Sequence, residues 1–153
     1  MKYLVVSDAH GNVELMQELV KEYPKVDGYL DAGDSMSDSY SIQPFRSVKG
    51  NCDYFPFDEK ALIRNKGGNI FMRHLPYISM QESNDITIFI HGHTHRYKIE
   101  QKDKLIVLCP GALSRPRDDS NGSFAILDIK EGEINIDIID VFTKKILLNF
   151  HLM

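Results

Sequence analysis

The chain has 153 residues, of which 42% are apolar and 26% charged, and carries a net charge of −4. That length suits one domain, residues 1–153, able to bury a core without covalent staples, and the composition excludes a mainly disordered chain. No apolar run approaches the ~18–20 residues of a membrane span, and the acidic balance disfavours nucleic acid as a partner. The apolar run Tyr3–Val6 is too short for a secretory signal, and Cys52 and Cys109 form neither a metal-pair spacing nor a disulfide framework. A cytoplasmic protein is the expectation.

Lys2–Ser7 reads as a short buried strand. Asn12 can cap a helix whose apolar positions Val13, Met16, Leu19 and Val20 recur at helical spacing, with Pro24 as its stop. A second strand covers Gly28–Asp31 and runs into Gly33-Asp34. The polar stretch Ser35–Ser41 is a loop or the start of a short helix. A third strand, Phe45–Lys49, ends at Gly50-Asn51. Strand, helix, strand in this order predicts parallel pairing, with functional loops at the carboxyl ends of the strands.

The second half reads differently. Lys60–Arg64 and Asn69–His74 flank Lys66-Gly67-Gly68, a hairpin signal. Ile86–Ile90 is a buried strand ending at His91-Gly92-His93. Further strands cover Tyr97–Gln101, Lys104–Leu108, Phe124–Ile129, Glu133–Ile139 and Val141–Phe150. Ile134, Ile136 and Ile138 alternate with polar neighbours, as on a half-buried antiparallel strand. The elements imply one α/β domain with a mixed sheet or two packed sheets.

Polar residues suited to hold metal gather at the strand ends. Five of the six histidines, His10, His74, His91, His93 and His95, lie at or just after predicted strands. Asp8 and His10 follow the first strand, Asp34 the second, Asn51 the third, His74 the fifth, and His93 with His95 the sixth. Side chains two apart on an extended segment point the same way, so Asp8 and His10 can grip one ion. A lone aspartate or histidine at a strand end is usually a cap or a loop residue. Five such signals in order, each after a strand, point instead to a shared site. Seven donors overfill one ion but suit two that share a carboxylate, with positions left open for water and substrate. Hard oxygen with imidazole suits Mn, Fe, Zn, Co or Ni rather than Ca.

Ser7-Asp8-Ala9-His10-Gly11-Asn12, Gly33-Asp34, Gly50-Asn51-Cys52-Asp53, a histidine after a strand, and Gly92-His93-Thr94-His95 together resemble the calcineurin-like metallophosphoesterases. Gly-Asn-Cys-Asp, with Cys109-Pro110-Gly111-Ala112-Leu113-Ser114-Arg115-Pro116-Arg117, is similar to the small bacterial and archaeal phosphodiesterase branch. The resemblance runs from Lys2 to about Ile129. It implies a four-layer α/β/β/α sandwich of two mixed β-sheets flanked by helices. It implies two divalent metal ions, manganese foremost and nickel, iron, cobalt or zinc as substitutes. Asp8, His10, Asp34 and His95 would hold one ion, and Asp34, Asn51, His74 and His93 the other, with Asp34 bridging. The implied activity is hydrolysis of a small phosphodiester by a hydroxide that bridges the ions, with Asp34 and Asn51 positioning phosphate and hydroxide. Relatives often form dimers or tetramers, so a homodimer is expected. One eukaryotic branch serves as a trafficking subunit, so the opposing class is a non-catalytic metal-binding scaffold. A phosphomonoesterase is the nearer rival.

The chain departs from the family pattern in three places. Cys52 stands where other branches carry a histidine that contacts phosphate, and a neutral thiol is a poor charged donor. Arg73-His74-Leu75-Pro76 replaces the usual Thr-His-Gly-His. His74 and His93 are separated only by residues 75–92, so the helix relatives carry there is expected to be shortened or lost. Arg115 and Arg117 are candidates for substrate phosphate, weighed against a surface or subunit role. His91 is expected to be buried outside the ligand set, and Asp53 to fix the Asn51 loop.

Overall fold

Strand alternation and one amphipathic helix divide the apolar residues among three layers of packing. The computed structural model describes residues 1–153. In chain order it contains β1 (Lys2–Val6), α1 (Val13–Glu22), β2 (Gly28–Asp31), β3 (Phe45–Ser47), β4 (Lys60–Ile63) and β5 (Asn69–Arg73). There follow β6 (Ile86–Ile90), β7 (Tyr97–Lys102), β8 (Leu105–Pro110), β9 (Ser123–Lys130), β10 (Glu133–Asp140) and β11 (Ile146–Leu152). One sheet has the order β11-β10-β9-β1-β2-β3, the other β4-β5-β6-β8-β7. Both are mixed. β1, β2 and β3 run parallel, as do β5, β6 and β8, while hairpin partners pair antiparallel.

The sheets face each other across a core to which β1 gives Tyr3 and Val5, β6 gives Ile88 and Ile90, and β10 gives Ile134, Ile136 and Ile138. The opposite face of the first sheet presents Leu4, Val6 and Phe124 to Met16 and Leu19 of α1. That helix starts where the Asn12 side chain accepts the Leu15 N–H, and it ends at Tyr23, before Pro24. The outer face of the second sheet offers only Phe71, Phe89 and Val107.

The two mixed sheets agree with expectation, and the structure adds three details. Residues 75–85 form turns instead of a flanking helix, so a strap covers Phe71, Phe89 and Val107. Glu82 ties that strap to Arg73 and Lys60. Ser35–Ser41 is a loop, closed by Asp38 accepting the Ser41 N–H at 2.7 Å. The last strand starts at Ile146, not Val141. Asp140 accepts the Phe142 and Thr143 N–H groups at 3.0 and 2.9 Å, and these bonds fold the intervening residues into a turn. Cys52 and Cys109 are free thiols. No helix is long and apolar enough to cross a membrane.

Candidate metal centre

The carboxyl ends of β1, β2, β3, β5 and β6 meet at one edge of the sandwich and carry Asp8, His10, Asp34, Asn51, His74, His93 and His95. Asp8 lies deepest and is fully buried. The Ser7 hydroxyl and the His93 N–H donate to its Oδ2 at 2.7 and 3.0 Å, leaving Oδ1 bare. Around that oxygen stand three imidazole Nε2 atoms, of His95 at 3.4 Å and of His10 and His74 at 3.8 Å. Asp8 Oδ1, His10 Nε2 and His74 Nε2 are buried without a hydrogen-bond partner. Orphaned buried polar atoms are costly, and their convergence on one point is the signature of a cation's donors.

The surroundings fix the histidine tautomers. His74 Nδ1 lies 2.8 Å from the Ala32 carbonyl and His95 Nδ1 2.8 Å from the Arg115 carbonyl. A carbonyl only accepts, so each Nδ1 carries the proton and each Nε2 lone pair faces the centre. His93 and Asn51 occupy the exposed side, with His93 Nδ1 3.1 Å from Asn51 Oδ1. Asp34 Oδ2 lies 3.2 Å from His74 Nε2, and its Oδ1 accepts the Cys52 N–H at 2.8 Å.

Geometry sorts the carboxylates and imidazoles into two groups, Asp8 with His10 and His95, and Asp8 with Asp34 and His74. Five of the seven expected donors, Asp8, His10, Asp34, His74 and His95, fall in these two neighbouring groups, while Asn51 and His93 stand at the same edge outside them. Without an ion, Asp8 is the carboxylate common to both.

Strand alternation does not bring Asp8 and His10 together, contrary to the period-2 argument. β1 ends at Val6, and both residues have left-handed backbones, with φ of 54° and 46°. Asp34, His93 and His95 share that conformation at 62°, 74° and 60°. Successive left-handed turns, uncommon for these residue types, aim the donors inward. Close backbone approach is part of the same construction. A Cβ on Gly50 would lie 2.0 Å from Asp34 Oδ1, and one on Gly92 would lie 1.9 Å from Ser7 Oγ.

Electrostatics follow from this burial. Burial lowers the His10 pKa, against the Asp8 and Asp34 charges that would raise it. For His74, burial would lower the pKa, but the neighbouring Asp34 and Asp8 carboxylates outweigh it and the pKa rises. Burial would raise Asp34, but the adjacent His74 and the bond from the Cys52 N–H hold it down. Desolvation, then the charge of Asp34, pushes the Cys52 thiol up, so it stays neutral.

Asp53 fixes the Asn51 loop as expected. Its Oδ2 accepts the Gly50 and Asp34 N–H groups at 2.7 and 3.0 Å, and its Oδ1 the Met36 N–H at 2.9 Å. His91 is buried, with Nδ1 2.9 Å from the Gly92 carbonyl. Arg115 and Arg117 are exposed, and it is their backbones that hold His95. Arg117 donates its N–H to the His95 carbonyl at 2.8 Å. A groove beside Asn51 and His74 is lined by Lys49, Glu59, Arg73 and Leu75. Sequence reasoning gave Lys49, Glu59 and Arg73 no role at the site, although Lys49 directly precedes Gly50-Asn51 and Arg73 directly precedes His74.

The profile of the calcineurin-like phosphoesterase superfamily domain matches residues 1–132. A probable metallophosphoesterase, YsnB of Bacillus subtilis, is 26% identical over 92% of this chain and 91% of its own. A conserved uncharacterized protein of Streptococcus pneumoniae, described as a predicted phosphoesterase, superimposes with TM-score 0.85 at 25% identity over 99% of this chain and 96% of its own. Two structures at 20% identity share the fold. An archaeal phosphodiesterase has TM-score 0.68 over 91% of this chain and 100% of its own. A Vps29 from Entamoeba histolytica complexed with zinc has TM-score 0.73 over 99% and 98%. The donors at the strand ends and the match over most of the sequence agree: the chain belongs to the calcineurin-like phosphoesterase superfamily.

Proposed function

We propose that the chain is a phosphodiesterase dependent on two divalent metal ions. The observation that carries this reading is the cluster of bare donors, Asp8 Oδ1 with His10 and His74 Nε2, buried and facing one another. Asp8, His10, Asp34 and His95 would hold one ion, and Asp34, Asn51, His74 and His93 the other, with manganese the first choice. When bound, such ions lower the pKa of water and offset the charge of phosphoryl oxygens.

The protein's own contribution is orientation and charge. The carbonyls of Ala32 and Arg115 hold His74 and His95 in the donor tautomer. Asp53 locks Asp34 and the Gly50-Asn51 turn into one unit, so the Asn51 amide stands over the centre to orient phosphate. Cys52 sets the ester preference. A monoester brings a second negative charge at neutral pH, which a protonated imidazole at this position would offset and a neutral thiol does not. Diesters, with one charge, need less help.

Vps29 bears the same fold, and a non-catalytic subunit is the competing class. Retention of all seven donors favours the enzyme. The test is hydrolysis of bis-p-nitrophenyl phosphate by metal-stripped protein supplied with manganese, with p-nitrophenyl phosphate in parallel. Diester turnover exceeding monoester turnover supports the reading. Monoester turnover in excess would make the protein a phosphomonoesterase.

A further inference from the structure

We propose that the groove beside Asn51 and His74 receives one ester arm of the substrate, and that this arm is hydroxyl-rich, a ribosyl or glyceryl group. The inference rests on the phosphodiesterase reading and narrows its substrate class. The groove has a volume of about 400 Å³ and shares Asn51 and His74 with the metal centre. A phosphate seated over the centre therefore extends an arm directly into it. The volume is in the range of small-ligand sites and admits a pentose or a glycerol with several waters.

Its walls select by chemistry. Leu75 is the single hydrophobic residue of the lining. An acyl or aryl arm would displace water from charged groups and give nothing in return. Arg73 is committed elsewhere: its Nη1 donates to Glu82 Oε1 at 2.8 Å and to the Tyr77 carbonyl at 2.9 Å, and it braces the wall. Lys49 and Glu59 are both exposed and enter none of the molecule's ion pairs or side-chain hydrogen bonds. They leave the groove with one free ammonium, which only donates, and one free carboxylate, which only accepts.

Four kinds of arm can be compared on that basis. An arm with a further phosphate would satisfy Lys49 but set like charge against Glu59. A cationic arm would satisfy Glu59 and oppose Lys49. An apolar arm satisfies neither. A neutral diol satisfies both, since its hydroxyls donate to Glu59 and accept from Lys49.

The test measures binding, independently of turnover. Manganese-loaded protein is titrated by calorimetry with the glyceryl, ribosyl and propyl monoesters of methylphosphonate, which carry the single negative charge of a diester. The propyl ester matches glycerol in length and lacks its hydroxyls. The expected result is at least about tenfold tighter binding of a diol ester than of the propyl ester, the effect of hydrogen bonds to charged groups. Whichever of glyceryl and ribosyl binds tighter identifies the source of the diol. Glu59→Gln and Lys49→Met should each bring the diol-to-propyl ratio toward one. Equal binding of the propyl ester, or a preference that survives both substitutions, overturns the proposal. Turnover of bis-p-nitrophenyl phosphate without any diol preference would defeat the subsite alone, whereas a diol preference without turnover would defeat the phosphodiesterase reading and leave the subsite standing.

Discussion

Replacing Asp53 with alanine should loosen the Asp34 turn and the Gly50-Asn51 turn at once. The carboxylate accepts three backbone N–H groups, those of Gly50, Asp34 and Met36, at 2.7, 3.0 and 2.9 Å, and only 8% of the residue is exposed. Hydrogen bonds to a charged group contribute about 1.5–3 kcal/mol each. The three share one carboxylate and the freed loops regain some water, so the sum is discounted to about 3–5 kcal/mol. That is a large share of the roughly 5–15 kcal/mol a domain has. Urea unfolding of metal-free protein reads this as a midpoint lowered by about 1–5 M, given slopes of about 1–3 kcal/mol/M. Asp53→Asn should lose about half as much. Its oxygen can keep the Gly50 and Asp34 bonds, while its amide NH₂ meets the Met36 N–H. A loss below about 1 kcal/mol for Asp53→Ala would refute the view that this carboxylate holds the two loops together.

The remaining predictions concern charge and ligand roles. Asp31 is fully buried, and desolvation pushes its pKa from 3.8 to about 7 against the opposing Ser47 and Gly33 bonds. Between those values the native state keeps a proton the unfolded state has lost, so stability falls as pH rises, by about 4 kcal/mol in all at ~1.4 kcal/mol per unit. Metal-free Asp31→Asn should therefore gain stability over the wild type at pH 8 and match it near pH 4; parallel unfolding midpoints across that range would contradict this. Asp34→Asn should empty both metal sites and Asp8→Asn chiefly one, as counted by elemental analysis; the reverse pattern would move the bridge to Asp8, the carboxylate common to both clusters in the metal-free geometry. Cys52→His should raise the ratio of p-nitrophenyl phosphate to bis-p-nitrophenyl phosphate hydrolysis, and an unchanged ratio would remove Cys52 from the account of ester preference.

Much of the fold is legible because strands and the helix carry their own periodicity. Ile134, Ile136 and Ile138 alternate into the core, and Val13, Met16 and Leu19 line one side of α1. The boundary at Ile146 is not legible, since it depends on Asp140 capturing two N–H groups of its own turn. The strap over Phe71 and Phe89 is legible only as a short segment. The loss of its helix follows from that shortness, whereas its pinning by Glu82 to Arg73 is a contact that no periodicity announces. At the metal centre, the donors are visible as a series of strand-end signals. Their aim is not, because it comes from left-handed turns at Asp8, His10, Asp34, His93 and His95. The supporting roles of Ser7, the Ala32 carbonyl and the Arg115 carbonyl leave no composition signal. Lys49 and Glu59 look like ordinary surface charges until the groove gathers them beside His74.

The central claim is that the bare donors around Asp8 exist to hold two ions, and manganese binding at equilibrium tests it most directly. Metal-stripped protein dialysed against manganese should bind two ions per chain and unfold at a higher temperature, and His74→Ala should bind about one. Wild-type protein that binds no manganese, nickel, iron, cobalt or zinc, with an unchanged unfolding temperature, would contradict the account.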